Sequence, residues 1–215
     1  MPLVALARSE LDNDGKIVYI GDYDFPKIAL EGCDLFCPGC MDGMFIREKR
    51  MTVAHFVHKR RDGGSCAYRD MDGGESEQHR LAKIAIRDLL LDDPIYRDAN
   101  IQVERYVPGD SPRIADVYVE FDFGDVEIYE IQLAAITTET LEQRTADYER
   151  ALAVDGRSVN VFWCLGGKAD VEANREWCEV RTKFACSIAI EQSINWTNLS
   201  PYLYPNRLQG AAKNN

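Results

Sequence analysis

Several things are scarce in this sequence, and each scarcity removes a class of protein. No apolar run approaches the roughly 20 residues that a helix needs to cross a bilayer, so no membrane-spanning helix is expected. The opening residues, MPLVALARSELDNDG, carry no basic segment followed by a long apolar one. That argues against a secretory signal and makes the cytoplasm the expected location. Basic residues are in deficit, with 25 Lys and Arg against 36 Asp and Glu and a formal net charge of -11. Overall charge therefore gives no strong nonspecific affinity for a polyanion. Histidine occurs at only 3 positions, and no His-Glu-x-x-His helix is among them, which excludes the zinc-protease arrangement. Internal repeats and low-complexity tracts are absent.

Cysteine is present but unevenly placed. Of 7 cysteines, Cys33, Cys37, Cys40 and Cys66 fall in one stretch beside His55 and His58, and in a reducing compartment such clustering favours a metal over disulfides. Cys37-Pro-Gly-Cys40 has the spacing that lets two thiolates of one tight turn reach a single ion. A structural Zn²⁺ needs two further ligands from His55, His58 and Cys66. The expectation is Cys66 with one histidine, Cys33 being a weaker substitute. On a strand, His55 and His58 face opposite ways, and spacing leaves the choice between them open. Residues 3–7 and 16–20 read as short strands about the turn Asp12-Asn-Asp-Gly15, and residues 45–58 as a hairpin. Together they suggest a small β-rich zinc module over residues 1–70, with metal contributing much of its stability. Six basic residues against one acidic residue lie in 47–61, among them Lys59, Arg60 and Arg61. They read equally as a track for a phosphate backbone and as a solvated surface.

After the linker Asp70-Met-Asp-Gly-Gly74 the pattern changes. Residues 75–91 place Leu81, Ile84, Ala85, Ile86, Leu89 and Leu90 at helical spacing. Residues 101–107, 113–121 and 125–133 are rich in Val, Ile, Tyr and Phe and read as strands, the last two joined by a Gly124-Asp125 turn. Residues 138–153 read as a helix and 158–165 as a buried strand. The expected α+β core thus runs helix, three strands, helix, strand over 75–200. Helices are expected at 169–180 and 187–196, and a flexible tail at 201–215. Cys164, Cys178 and Cys186 read as buried free thiols.

The chemistry gathers on the strand pair. Alternation puts Glu130 and Gln132 on one face of their strand with Ile131 on the other, and Asp116 can face them from its neighbour. Two carboxylates and an amide at one sheet edge suit Mg²⁺ or Mn²⁺ and a phosphodiester.

An ordered set of motifs carries a family resemblance over about residues 35–165. It comprises Cys37-Pro-Gly-Cys40, His55-Phe-Val-His58, Glu75-Ser-Glu-Gln-His79 followed by Lys83, Arg113-Ile-Ala-Asp116-Val, Glu130-Ile-Gln132, Arg144 with Tyr148, and Phe162-Trp163. The set resembles competence protein CoiA-like nucleases, within the PD-(D/E)xK superfamily with its restriction-endonuclease-like core. The resemblance implies a metal-dependent deoxyribonuclease acting in recombination or in processing incoming DNA. Its alternative is a noncatalytic module that recognises DNA or DNA ends. Asp116 and Glu130 would hold the catalytic cation. Gln132 stands where the superfamily usually has lysine, so an amide would orient water where a cation is expected. Glu77 is read as an outer ligand, His79 as a catalytic or hydrogen-bonded helix residue, and Lys83 as a replacement cation. Arg113 is read as a structural or phosphate-contacting residue. Arg144 and Tyr148, four apart on one helix face, are assigned to the nucleic-acid backbone or to Glu130. DNA is the expected partner, and self-association stays open.

Overall fold

The computed structural model describes residues 2–10, 12–49, 52–59, 66–70, 75–153, 157–184 and 186–188. The expected tail at 201–215 and the linker residues 71–74 lie outside these, as do Arg60 and Arg61.

The N-terminal part is built from short antiparallel strands. β1 (Val4–Ser9) pairs with β2 (Asp12–Tyr19). After the single-turn helix α1 (Pro26–Ala29), β3 (Asp34–Phe36) pairs with the other edge of β1. β4 (Met44–Lys49) and β5 (Thr52–His58) form the expected second hairpin. The expected turn at 12–15, however, is part of β2, because Ser9 pairs directly with Asp12. Gly15 instead takes a left-handed φ of 74° beside a register shift. A Cβ there would come within 2.8 Å of the Ala7 carbonyl oxygen, so the position requires glycine for close approach and not for a chain reversal. Leu3, Val4, Val18, Ile20, Met44 and Phe56 form the core of this part, and the one-turn helix α2 (Ala67–Asp70) adds Tyr68.

The remainder is a five-stranded mixed sheet between helices. α3 (Glu77–Asp92) starts where Ser76 accepts the His79 N–H at 3.1 Å, satisfying one of the orphan donors of a helix start. β6 (Asn100–Val107), β7 (Arg113–Glu120) and β8 (Val126–Gln132) follow as an antiparallel meander. α4 (Thr138–Leu152), capped by Thr137, crosses to β9 (Val159–Gly166), which runs parallel to β8. α5 (Glu172–Thr182) leads to β10 (Cys186–Ile188), parallel to β9. The order across the sheet is β10-β9-β8-β7-β6. The α+β core of helix, three strands, helix and strand is therefore present. One expectation fails at Ser187, which lies in a strand rather than at a helix start; Cys186 and Ile188 turn inward beside Cys164 and Gly166. Residues 189–196 of that expected helix lie outside the described residues.

Alternation along the strands sorts the core into two layers. Tyr129 and Ile131 of β8 join Val117 and Val119 beneath Ala82, Ile86 and Leu90 of α3. Val126 and Ile128 join Tyr118, Val161 and Trp163 beneath Leu141 and Tyr148 of α4 and Cys178 of α5. Ile128 is wholly buried at the centre of the sheet. Ile128→Ala is expected to lower unfolding free energy by about 2–5 kcal/mol, to be measured by urea denaturation of the full chain.

Candidate functional site

β7 and β8 do not stay paired along their whole length. Their pairing ends at Val117 opposite Tyr129. Beyond that point β7 continues against β6 as far as Arg113 opposite Val107, and β8 continues against β9 as far as Gln132 opposite Leu165. The two strands open into a fork in the middle of the sheet, and the first residues past the opening are Asp116 and Glu130. An open fork leaves strand N–H groups without ladder partners, and buried N–H groups must be satisfied. Asp116 does this with its side chain, accepting the Ile131 N–H on Oδ2 at 2.9 Å.

Helices on the two faces of the sheet both reach this opening. From α3, His79 Nε2 lies 3.1 Å from Asp116 Oδ2 and 2.9 Å from the Ile131 carbonyl oxygen. The other ring nitrogen, Nδ1, donates to Glu75 Oε1 at 2.9 Å. From α4, the Tyr148 hydroxyl donates to Glu130 Oε1 at 2.6 Å, and Arg144 forms an ion pair with Glu130 Oε2. Arg144 also donates to Gln132 Oε1 at 3.4 Å, while Gln132 Nε2 donates to the Ala134 carbonyl at 2.8 Å. Asp116, Glu130, Gln132 and His79 thus come together from separate stretches of the chain.

The site is deeply placed, with Asp116 5% exposed and Glu130 0%. Burial pushes the Asp116 carboxyl up, but His79, Lys83 and the Ile131 N–H outweigh it and hold the group down at about 2. Burial likewise opposes a charged His79, and Asp116 with Glu75 overcomes it, lifting the imidazole to about 10. Glu75 is held down to about 2 against burial by His79 and Lys83. Glu130 moves the other way: its burial prevails over Arg144 and raises the carboxyl above the usual range.

Three lone-pair-bearing groups, Asp116 Oδ2, the Ile131 carbonyl and His79 Nε2, converge on one small volume. A proton on Nε2 fills that point, or a divalent cation does. Glu75, His79 and Asp116 offer ligand atoms within 4.8 Å of one another. Carboxylate, carbonyl and imidazole donors fit a hard or borderline divalent ion, and the Nδ1–H to Glu75 bond is the outer contact that fixes the tautomer of a metal-ligating histidine.

Two expectations are corrected by this geometry, those for Glu77 and Lys83. Glu77 does not join the cluster; it pairs with Arg80 and accepts the Val53 N–H of β5. Glu75 stands in its place, one residue before the Ser76 cap, where strict helical spacing does not reach. Lys83 is fully buried between Glu75 and Glu104, 2.5 Å from Glu104 Oε1, and so is not free to stand in for a lysine at position 132. Burial works against its ammonium, yet Glu104, Glu75 and Asp116 keep the pKa above its ordinary value. Tyr148, read as a contact to the nucleic-acid backbone or to Glu130, is wholly buried and gives its hydroxyl to Glu130, the second of those readings. Arg113, read as structural or phosphate-contacting, donates through Nε and Nη2 to Asp147 of α4 at 3.1 and 2.5 Å, a structural contact.

Glu104 itself was not singled out by any sequence signal. It lies on β6 at a left-handed φ of 54°, between the rungs Val103 to Val117 and Arg105 to Ala115, and so directly across from Asp116. Its Oε2 accepts the Leu3 N–H at 2.7 Å and its carbonyl accepts the Tyr68 hydroxyl at 2.7 Å. The carboxylate that neutralises Lys83 is thereby also the tie to the N-terminal strands.

A second cluster lies in the N-terminal part. Cys37, Cys40, Cys66 and His58 present ligand atoms within 4.8 Å of one another. Cys37 and Cys66 sulfurs are 3.6 Å apart, and His58 Nε2 is 3.5 and 4.0 Å from Cys40 and Cys66 sulfurs. Two sulfurs about 2.3 Å from one tetrahedral ion sit about 3.8 Å apart, and a sulfur and a nitrogen about 3.5 Å, so the donor set fits a four-coordinate Zn²⁺. Disulfides, with sulfurs about 2 Å apart, do not fit. His58 is the histidine of the set. His55 turns away, its Nδ1 at 2.8 Å from the Val53 carbonyl, as alternation on β5 requires. Cys33 is outside the cluster. Lys59, at the end of β5, is exposed.

No curated protein matches this chain. Among solved structures it is similar to SfsA of Pyrococcus furiosus in complex with Ca²⁺, at 14% identity and a TM-score of 0.29, covering 78% of this chain and 73% of that one. It is also similar to a repair endonuclease from Pyrococcus abyssi, at 18% identity and a TM-score of 0.27, covering 69% and 73%. No helix among the described residues is long and apolar enough to cross a membrane. The family described as competence protein CoiA, nuclease-like domain, matches residues 75–207, more than half of the chain, and the protein belongs to that family.

Proposed function

We propose that this protein is a metal-dependent nuclease that hydrolyses phosphodiester bonds in DNA, in recombination or in the processing of incoming DNA. The single observation that carries the reading is the fork, where Asp116, the Ile131 carbonyl and His79 converge beside Glu130. In this reading Asp116, the Ile131 carbonyl and His79 would hold Mg²⁺ or Mn²⁺, and Glu130 would join them on exchanging Arg144 for the ion. The bound ion would supply charge to polarise the scissile phosphate and to lower the pKa of a water. Glu75 keeps the His79 ring oriented, with Nδ1–H donated to the carboxylate and Nε2 turned inward. Tyr148 fixes the rotamer of Glu130 through its hydroxyl. Gln132, tied to the Ala134 carbonyl, presents its amide at the mouth of the fork.

The N-terminal residues 1–70 serve in this reading as a zinc module attached to a nuclease domain at 75–200, and Lys59, Arg60 and Arg61 as a basic approach for the DNA backbone. The acidic net charge of the chain makes such a local track the main source of attraction. Cytoplasmic location is part of the proposal. A noncatalytic DNA-binding module is the second reading, favoured by the saturation of Glu130 with Arg144 and Tyr148.

Cleavage of labelled single-stranded and duplex DNA, linear and circular, with Mn²⁺, Mg²⁺ or EDTA separates the two. Metal-dependent cutting is expected from wild type and none from Asp116→Ala; DNA retarded without being cut establishes the second reading. Glu75→Gln is expected to lower Mn²⁺ affinity, read by calorimetry, about 10–100-fold. Elemental analysis of purified protein is expected to give one zinc per chain in wild type and His55→Ala, and a loss of zinc in His58→Ala. Zinc retained in His58→Ala would remove this residue from the ligand set.

A further inference from the structure

We propose that Arg144, projecting from α4 across both Glu130 and Gln132, supplies the positive charge that the neutral Gln132 cannot, and that its guanidinium binds the phosphodiester during hydrolysis. The proposal rests on the nuclease reading above and names the cation that the reading lacks. One guanidinium nitrogen pairs with Glu130 and another donates to Gln132 Oε1 at 3.4 Å, so the charge lies over the two polar positions of the strand motif. Its plane is seated on Trp163, with the guanidinium carbon 4.9 Å from the ring centroid, a contact that orients a cation as well as stabilising it.

The other cations near the fork are committed elsewhere. Lys83 is 0% exposed and enclosed by Glu75 and Glu104. Arg80 is held by Glu77 and donates to the Glu75 carbonyl at 3.2 Å. Arg113 is engaged by Asp147. Unlike Lys83 and Arg80, the Arg144 side chain keeps 23% of its surface exposed and so reaches the solvent from which a nucleic acid would approach. Its Nε–H has no acceptor among the described residues. A planar guanidinium with parallel N–H donors matches two oxygens of a phosphate, and its charge persists at every working pH.

The chemistry needs no further reagent. A bond forms between a water oxygen and phosphorus, and the bond from phosphorus to the leaving sugar oxygen breaks. The attacking water loses a proton to solvent and the leaving oxygen gains one, while no atom changes oxidation state. Arg144 stays protonated throughout and contributes charge and hydrogen bonds where negative charge accumulates on the phosphoryl oxygens. Glu130 could share a divalent cation, and the donors that Arg144 spends on that carboxylate would then be available to the phosphate.

The test uses the full chain, labelled DNA and Mn²⁺, and compares wild type with Arg144→Gln, Arg144→Lys and the double variant Arg144→Gln with Gln132→Lys. Cleavage kinetics are read beside Mn²⁺ affinity by calorimetry and thermal unfolding. Arg144→Gln is expected to reduce kcat about 10²–10³-fold while Mn²⁺ binding holds or tightens, since a competitor for Glu130 is gone. Restoring a cation at position 132 is expected to regain at least about tenfold of that loss. A kcat for Arg144→Gln within about threefold of wild type, or a double variant no faster than the single one, would overturn the proposal. Should Arg144→Gln fail to fold, Arg144→Lys decides: a kcat lowered at least about tenfold with intact Mn²⁺ binding supports the two-pronged guanidinium contact, and a wild-type kcat contradicts it. Failure of the nuclease reading shows separately, as a wild-type protein that binds DNA and does not cut it.

Discussion

Everything at the candidate site depends on one hydrogen bond that is not part of the sheet ladder, from the Ile131 N–H to the Asp116 carboxylate. Where β7 and β8 part company beyond Val117 and Tyr129, a buried N–H would otherwise lose its partner, at a cost of about 1–3 kcal/mol. The carboxylate takes the place of the missing strand. Because the fork interrupts the sheet at that level, side chains from opposite layers reach the same opening: His79 comes from α3 to Asp116, and Arg144 and Tyr148 come from α4 to Glu130. A continuous sheet keeps these layers apart. The opening therefore both requires a carboxylate for structural reasons and creates the place where a carboxylate, a carbonyl and an imidazole meet.

Around the fork the structure gathers Glu75, Glu104, Asp116 and Glu130 against His79, Lys83 and Arg144. Taking so many charges out of water is costly, and paired buried charges are rarely the most stable way to fill a core. Lys83 illustrates why they persist. Its ammonium is bound on one side by Glu75, which orients His79, and on the other by Glu104, which receives the N–H of Leu3, just before β1. The same lysine thus links the position of the histidine ring to the packing of the N-terminal strands. Glu104 holds its place in a left-handed backbone conformation, which costs roughly 1–3 kcal/mol and is sustained by three partners from different elements.

The sequence makes much of this legible, and the physical reasons for what it hides are specific. Long periodic segments read well: the apolar spacing in α3 and the β-branched runs of β7, β8 and β9 correspond to the elements found. The Cys-x-x-Cys turn points to its own cluster, while His55 and His58 are separated only by the direction each takes from β5. Glu75 escapes notice because it precedes the helix, so that helical spacing favours Glu77, which turns instead to Arg80 and the Val53 N–H. Asp12-Asn-Asp-Gly15 has the composition of a turn, but Gly15 is needed for a close approach to Ala7. Cys186-Ser-Ile is too short for its period to identify it as a strand. Glu104 and the burial of Lys83 are tertiary facts, set by an ion pair between α3 and β6 across 21 residues of sequence, and no local pattern encodes them.

The convergence of Asp116, the Ile131 carbonyl and His79 on a single cation is the central claim, and diffraction at the manganese edge from crystals grown with Mn²⁺ tests it most directly. The account predicts an anomalous peak inside the fork within coordination distance of Asp116 and His79 Nε2, with Glu75 still on Nδ1. An ordered fork with His79 bonded to Asp116 and no peak there at saturating Mn²⁺ would contradict it.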